Sequence, residues 1–237
     1  SLGSGSGVRT GMSLVYPEAM SEIDTPALAD DTVLWSSDPE DRAGRPLLVL
    51  LHGYGSDEHD LFGLRPYLPA DVTVAAVRAP LTPPWPAPGY SWYPIEGLDG
   101  RDPSRVTDAA RRLIEWVDTL AGDDPVGLLG FSQGAAVSMQ ALRLEPHRFA
   151  FAVNLSGYVT PGDLEGDAAM AERKPPVFWG RGTHDDVIPQ ALVEHTMQWL
   201  PAHATLSGGA YPGLTHSVSE QELADVREFL DAQLAAL

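Results

Sequence analysis

The pentapeptide Gly130-Phe131-Ser132-Gln133-Gly134 is the part of the sequence whose residue types most clearly suggest chemistry. It has the pattern Gly-x-Ser-x-Gly, it follows the apolar run Val126–Leu129, and residues 135–144 after it favour helix. A serine between a strand and a helix is typical of a nucleophile elbow, where a tight turn exposes the hydroxyl at a helix N-terminus. The glycines leave room for that turn. The pattern therefore predicts Ser132 as a catalytic nucleophile.

A serine nucleophile needs a base, usually histidine, and the histidine needs a carboxylate to orient it. After a nucleophile elbow these groups follow in the order serine, acid, histidine. Asp185 is the predicted acid, with Asp186 as the alternative, because both follow a strand candidate that ends near Gly180 and a glycine-rich turn. His216, in a loop just before the C-terminal helix, is the predicted base.

Backbone N–H groups are predicted to bind the oxyanion that forms during such a reaction. One should belong to Gln133, directly after the nucleophile, and the other to the loop after an early strand. In this chain that loop begins His52-Gly53-Tyr54-Gly55, and the N–H of Tyr54 is the candidate. His52 precedes the nucleophile, so it is expected to hold the loop through side-chain hydrogen bonds.

A segment rich in proline and aromatic residues is the candidate for a substrate pocket. Residues 80–94 contain six prolines together with Trp85, Trp92 and Tyr93, so the segment cannot form a regular helix. It follows a predicted strand, which is where α/β folds place their ligand sites. The three aromatic residues are predicted to line the pocket; a packed structural loop is the alternative.

The elements that position these residues follow from alternating strand and helix patterns. Strand candidates are the runs Leu47–Leu51, Val72–Val77, Val126–Leu129, Phe149–Leu155 and Val177–Trp179, with Ala204–Leu206 as a weaker one. Apolar residues repeat at helical spacing over 106–120, after a cap predicted at Ser104, and over 223–234, after a capping box predicted at Ser219 and Glu222. This alternation predicts an α/β fold with a doubly wound, mostly parallel sheet.

Composition excludes several functional classes. The formal net charge of −18 disfavours nucleic acid and anionic membranes as partners, and the absence of cysteine excludes disulfides and a thiol nucleophile. No apolar run reaches the roughly 20 residues needed to span a bilayer, so no integral membrane segment is expected. The first residues lack a hydrophobic signal core, which favours a cytoplasmic protein. Residues 1–12 are expected to be a flexible N-terminus, and residues 13–237 a single domain.

Four motifs together resemble one known family. They are His52-Gly-Tyr-Gly, Gly130-Phe-Ser-Gln-Gly, Gly182-x-x-Asp185-x-x-Ile-Pro189 and Gly213-x-x-His216-Ser. Their order and spacing are similar to those of the phospholipase/carboxylesterase family of α/β-hydrolases, which includes acyl-protein thioesterases and lysophospholipase-like carboxylesterases. The resemblance implies an α/β-hydrolase fold, with Ser132, Asp185 and His216 as a triad. The intervening loops are too short for a large cap domain.

The resemblance implies a serine hydrolase that needs no metal and no cofactor and acts on a small-molecule ester. It also suggests a homodimer as the assembly. The substrate is expected to be a short- to medium-chain acyl ester or a lysophospholipid-like ester. An acyl-protein or small-molecule thioesterase is the alternative. Two features favour the ester over an acyl-protein thioester. One is the long loop after His52, and the other is Pro94, which stands where the family has an acidic residue. A non-catalytic binding module is disfavoured because every triad residue is present.

Overall fold

A seven-stranded sheet forms the centre of the computed structural model, which describes residues 25–95 and 101–237. The strands are β1 (Leu34–Trp35), β2 (Leu47–Leu51), β3 (Thr73–Val77), β4 (Val126–Phe131), β5 (Phe151–Leu155), β6 (Pro176–Gly182) and β7 (Thr205–Tyr211). Their spatial order is β1-β3-β2-β4-β5-β6-β7. Only β1 runs antiparallel to its neighbour among these strands. The predicted α/β fold with a mostly parallel sheet is confirmed.

Helices cover both faces of the sheet. They are α1 (Glu58–Phe62), α2 (Pro103–Leu120), α3 (Gln133–Leu144), α4 (Asp167–Arg173), α5 (Gln190–His203) and α6 (Glu220–Ala235). Alternate residues of β2 belong to two different cores: Leu47, Val49 and Leu51 pack with α2 to α5, whereas Leu48 and Leu50 pack with α1 and α6. Because both faces are buried, the parallel strands read as continuous apolar runs in the sequence.

Several element boundaries differ from the prediction for local physical reasons. Helix α2 is capped by Asp102 instead of Ser104, because the Asp102 carboxylate accepts a hydrogen bond from the Ser104 N–H at 2.9 Å. Strand β7 extends to Tyr211, although Ser207-Gly-Gly-Ala has a weak intrinsic preference for strand. Pairing with β6 along its whole length supplies the strand geometry there.

The parallel arrangement brings the candidate site residues to one edge of the sheet. Strands β2, β4, β6 and β7 all end at this edge, and the loops that follow them carry Tyr54, Ser132, Asp185 and His216 in turn. This is where ligands bind in open α/β sheets. The N-terminus predicted to be flexible, residues 1–12, lies outside the described residues, and the single domain over 13–237 stays a prediction. No helix in the described ranges is long and apolar enough to cross a membrane.

Helix α6 begins with a cap that is only half of the predicted capping box. The Ser219 hydroxyl accepts a hydrogen bond from the Glu222 N–H at 3.1 Å. The Glu222 carboxylate does not return the bond: it is fully buried against Gly180, and neither of its oxygens has a hydrogen-bond partner among the described residues. Burial, with a smaller contribution from the nearby Asp225 charge, raises the pKa of Glu222 to about 7.

The buried Glu222 predicts a pH-dependent stability. In the unfolded chain this carboxyl ionises near pH 4.5, whereas in the folded protein it keeps its proton up to about pH 7. The free energy of unfolding should therefore fall as pH rises across this window, by on the order of 2 kcal/mol. Glu222→Gln should remove that loss, as measured by urea denaturation at pH 5 and pH 8. The exposed Glu220 on the same helix provides the control, Glu220→Gln; equal pH slopes in the two variants would contradict this account.

Candidate active site

The backbone at Ser132 is held in a conformation that residues other than glycine rarely adopt. Its φ is 55° and its ψ is −113°, directly between the end of β4 and the first residue of α3. Such a residue costs about 1–3 kcal/mol and persists only where its surroundings enforce it. Here the Ser132 N–H donates to the Leu155 carbonyl of β5 at 2.8 Å, and the Ser132 carbonyl accepts from the Ala136 N–H at 3.1 Å.

Close packing explains why glycines stand on both sides of this turn. A Cβ atom at Gly130 would lie 2.5 Å from the backbone nitrogen of Ala135, inside the first turn of α3. A Cβ atom at Gly134 would overlap the carbonyl oxygens of Leu51 and His52. The start of α3 therefore packs directly on the end of β2, which brings the loop that begins at His52 next to the serine.

Ser132, His216 and Asp185 form a continuous chain of hydrogen bonds. The Ser132 Oγ lies 2.8 Å from His216 Nε2, and His216 Nδ1 lies 2.7 Å from Asp185 Oδ2. Since a carboxylate accepts only, the Nδ1 proton points at Asp185 and Nε2 is left to accept from the serine. The structure thus brings together the three residues predicted from the sequence. Asp186, the alternative acid, is exposed and outside this chain.

Neighbouring groups fix both partners of the serine. The Asp185 Oδ1 accepts hydrogen bonds from the N–H groups of Val187 at 2.9 Å and Ile188 at 3.2 Å. The His216 ring packs against Phe131, with their ring centroids 5.0 Å apart. The Asp185 and His216 side chains are mostly buried, with 8% and 16% of their surfaces exposed. Their orientation is therefore established before any substrate arrives.

Tyr54 and Gln133, the residues predicted to supply the oxyanion donors, both line the same pocket as Ser132. In the part of the chain that the structure describes, neither backbone N–H donates to a protein acceptor. Gln133 is the first residue of α3, where N–H groups have no partner within the helix and the helix dipole is positive. Within the described residues, both amides are available to donate to a group bound in this pocket.

The Gln133 side chain has a role that sequence reasoning missed. Its Oε1 accepts from the Trp92 N–H at 2.6 Å, and its Nε2 donates to the Tyr93 carbonyl at 2.7 Å. Gln133 is 3% exposed, so both bonds are shielded from water. Gln133 therefore connects the segment of residues 80–94, called the aromatic loop below, to the elbow. The sequence shows a polar residue at this position of the elbow, but it does not indicate which groups the side chain binds.

His52 holds the loop that follows β2, as expected, and its ring is bonded to backbone groups, not to the serine. Its Nε2 accepts from the Ala79 N–H at 3.0 Å, so its Nδ1 carries the proton and donates to the Gly53 carbonyl at 2.7 Å. Burial lowers the pKa of His52, which keeps the ring neutral. The Trp92 indole N–H donates to the His52 carbonyl at 2.9 Å, joining this loop to the aromatic loop.

The pocket beside Ser132 has a volume of about 350 Å³. Its apolar walls are formed by Ile95, Phe131, Val187 and Ile188, together with the rings of Tyr93 and Tyr158; Ser56, Asp60 and Arg101 add polar groups. Of the three aromatic residues predicted for the pocket, Tyr93 lines it.

The other two predicted pocket residues are corrected by the structure. Trp85 is 93% exposed and does not reach the pocket, because the proline-rich turn directs it into solvent. Trp92 is fully buried behind the wall, where its indole and backbone N–H groups hold neighbouring loops. Tyr158, Arg101 and Asp60 were missed. Tyr158 follows the end of β5 at the ligand edge and could have been found from that position.

One group of side chains within the described ranges is close enough to share a metal ion. It consists of Asp57, Glu58 and His59. Two of these groups have protein partners: Asp57 caps α1 through the His59 N–H, and Arg78 binds the Glu58 carboxylate with two nitrogens. The group is thus explained by its role in α1 and carries no argument for a metal centre.

A comparison of the whole chain with known families decides its membership. The sequence profile of the phospholipase/carboxylesterase family matches residues 37–234. The chain belongs to the phospholipase/carboxylesterase family. This confirms the resemblance carried by the four motifs, and with it the prediction of a hydrolytic enzyme with an α/β-hydrolase fold.

Individual members of this family cover most of the chain. It is 28% identical over 208 residues to acyl-protein thioesterase 1 of Eremothecium gossypii, covering 79% of this chain and 88% of that protein. It is 27% identical over 155 residues to the carboxylesterase SOBER1 of Arabidopsis thaliana, covering 61% and 68%. Among solved structures, the Bacillus cereus carboxylesterase superposes with a TM-score of 0.72 at 20% identity, covering 85% of this chain and 93% of that one. That structural likeness shows the shared fold.

Replacing the Gln133 side chain should destabilise the folded protein while leaving the backbone N–H of residue 133 in place. Gln133→Ala leaves the Trp92 N–H and the Tyr93 carbonyl buried without partners, and each such loss costs about 1–3 kcal/mol. We expect the free energy of unfolding, measured in urea, to fall by about 2–4 kcal/mol. Gln198→Ala, at an exposed position of α5, is the control. If both variants unfold at the wild-type urea concentration, Gln133 does not hold the aromatic loop.

Proposed function

We propose that this protein is a serine carboxylesterase that hydrolyses small-molecule carboxylic esters through an acyl-enzyme. The observation that carries this proposal is the hydrogen-bonded chain from Ser132 through His216 to Asp185, with distances of 2.8 and 2.7 Å, at the wall of a pocket. Fold membership alone would not support a reaction, because one fold hosts many functions.

Acylation begins when the Ser132 Oγ attacks the ester carbonyl. His216 Nε2 takes the hydroxyl proton, and the resulting imidazolium is stabilised by the Asp185 carboxylate at Nδ1. The carbonyl oxygen becomes an oxyanion, to which the N–H groups of Tyr54 and Gln133 donate. Loss of one such donor typically costs about 10²–10³ in rate. His216 then returns its proton to the leaving alcohol, and the acyl group remains on Ser132.

Deacylation repeats the sequence with water as the nucleophile. His216 takes a proton from water, the hydroxide attacks the acyl carbonyl, and the same two N–H groups stabilise the second oxyanion. The proton then passes from His216 to the Ser132 Oγ, which releases the carboxylic acid. Because Val187 and Ile188 hold Asp185 in both steps, the histidine keeps one tautomer and one orientation throughout.

Thioester hydrolysis is the second candidate, because several relatives, including the one from Eremothecium gossypii, are named acyl-protein thioesterases. The same groups would act, with a thiol as the leaving group. A pair of substrates with one acyl group, an oxygen ester and its thioester, separates the two by the ratio of their kcat/KM values. A cytoplasmic location and a homodimer stay predictions from the sequence and the family resemblance.

Removal of the Ser132 hydroxyl should nearly abolish turnover. We expect Ser132→Ala to lower kcat on 4-nitrophenyl butyrate by at least about 10⁴-fold with an unchanged thermal unfolding midpoint, because only the nucleophile is lost. Ser207→Ala, at an exposed position of β7, is the control and should keep wild-type activity. Wild-type turnover by a folded Ser132→Ala protein would refute the proposal.

A further inference from the structure

The candidate active-site pocket contains a cation whose charge the proposed hydrolysis does not use. We propose that Arg101, together with the hydroxyl pair of Tyr93 and Tyr158, forms a subsite for a carboxylate group on the ester substrate. The inference rests on the proposed function and specifies its substrate class: short esters that carry a carboxylate on one of their two arms.

Arg101 places a positive charge in the wall of the pocket that also holds Ser132. It is partly buried in the pocket lining, and among the described residues it forms neither an ion pair nor a hydrogen bond. The sequence has 33 acidic residues against 15 lysines and arginines, so partners are plentiful. Arg78 and Arg143 pair with Glu58 and Asp167, for example, whereas Arg101 is the arginine among the described residues that line this pocket. A guanidinium left unpaired in a pocket is suited to binding a carboxylate with two parallel hydrogen bonds.

The tyrosine pair supplies a second, independent donor. The Tyr93 and Tyr158 hydroxyl oxygens lie 2.6 Å apart, and each residue is 1% exposed. Each hydroxyl carries one proton, and only one proton can lie between the two oxygens. The other proton needs an acceptor, and no further protein acceptor within the described ranges contacts either hydroxyl. Both side chains line the pocket, so an oxygen of a bound substrate can accept that proton.

The Arg101 charge is close enough to Tyr93 and Tyr158 to affect their hydroxyl groups. Burial is the main cause that raises the pKa values of Tyr93 and Tyr158, and the Arg101 charge is near enough to oppose that rise in both. Asp60, the acidic residue of the pocket lining, is engaged elsewhere: its Oδ2 accepts from the Ser56 hydroxyl at 3.0 Å. An anionic group is therefore attracted to the side of Arg101 and repelled from the side of Asp60.

Pocket size favours a short spacing between the carboxylate and the ester. The pocket has a volume of about 350 Å³, at the small end of ligand pockets, and both Arg101 and Ser132 line it. Half-esters of short dicarboxylic acids, with the carboxylate on the acyl arm, fit this description. So do short esters of hydroxy acids, with the carboxylate on the alcohol arm.

The test compares anionic and neutral substrates of the same length. For the acyl arm, the pair is the 4-nitrophenyl half-ester of glutaric acid and 4-nitrophenyl pentanoate; for the alcohol arm, it is 4-acetoxybenzoate and 4-acetoxybenzamide. The readout is the ratio of kcat/KM for the anionic over the neutral ester. In Arg101→Gln we expect this ratio to fall about tenfold or more on at least one arm, with the neutral ester still hydrolysed.

Further variants separate a specific contact from a general charge effect. Arg101→Lys should keep part of the preference, because it keeps the charge but not the planar pair of donors. Tyr158→Phe should lower the ratio less than Arg101→Gln does. Arg111→Gln, which removes one positive charge from an exposed position of α2, should leave the ratio unchanged.

Two results would overturn the inference while leaving the proposed hydrolysis intact. One is an unchanged ratio on both arms in Arg101→Gln, and the other is an equal loss on anionic and neutral esters, which indicates a structural role for Arg101. If the wild-type protein hydrolyses none of the four esters, the proposed function itself fails with it.

Discussion

The rest of the site depends on the strained turn at Ser132. A serine at a φ of 55° is stable here because β5 binds its N–H, α3 binds its carbonyl, and the first turn of α3 packs against the end of β2. That packing requires glycine at positions 130 and 134. One arrangement of backbone thus places Ser132 and Gln133 in the wall of one pocket and packs the start of α3 against the strand that leads to Tyr54.

The elbow also organises the loops around it through polar groups that are buried and paired. The Gln133 amide holds the backbone of Trp92 and Tyr93, the Trp92 indole holds the carbonyl of His52, and His52 holds its own loop. Because an unpaired buried polar group is costly, these bonds make the loops a single unit with the nucleophile. The segment that contributes Tyr93 to the pocket wall is consequently held by the residue that follows the serine.

The fold and the reacting groups could be predicted because they depend on local pattern and chain order. Apolar runs marked the buried strands, and Ser132, Asp185 and His216 follow the ends of strands that meet at one edge. The pocket was less predictable, since it depends on contacts between distant segments. Trp85 and Trp92 read alike in the sequence, yet one is exposed and the other is buried. Arg101 lines the pocket from just before the cap of α2, and no local pattern indicates that position.

The central claim is that Ser132 is a nucleophile activated by His216 and Asp185. Its most direct test is to treat the protein with a fluorophosphonate, which phosphonylates activated serines, and to locate the adduct by peptide mass spectrometry. The account predicts one adduct, on Ser132. If the protein is denatured by heat before labelling, the hydrogen-bonded chain is lost and no adduct should form. An unlabelled native protein, or an adduct on another serine, would contradict it.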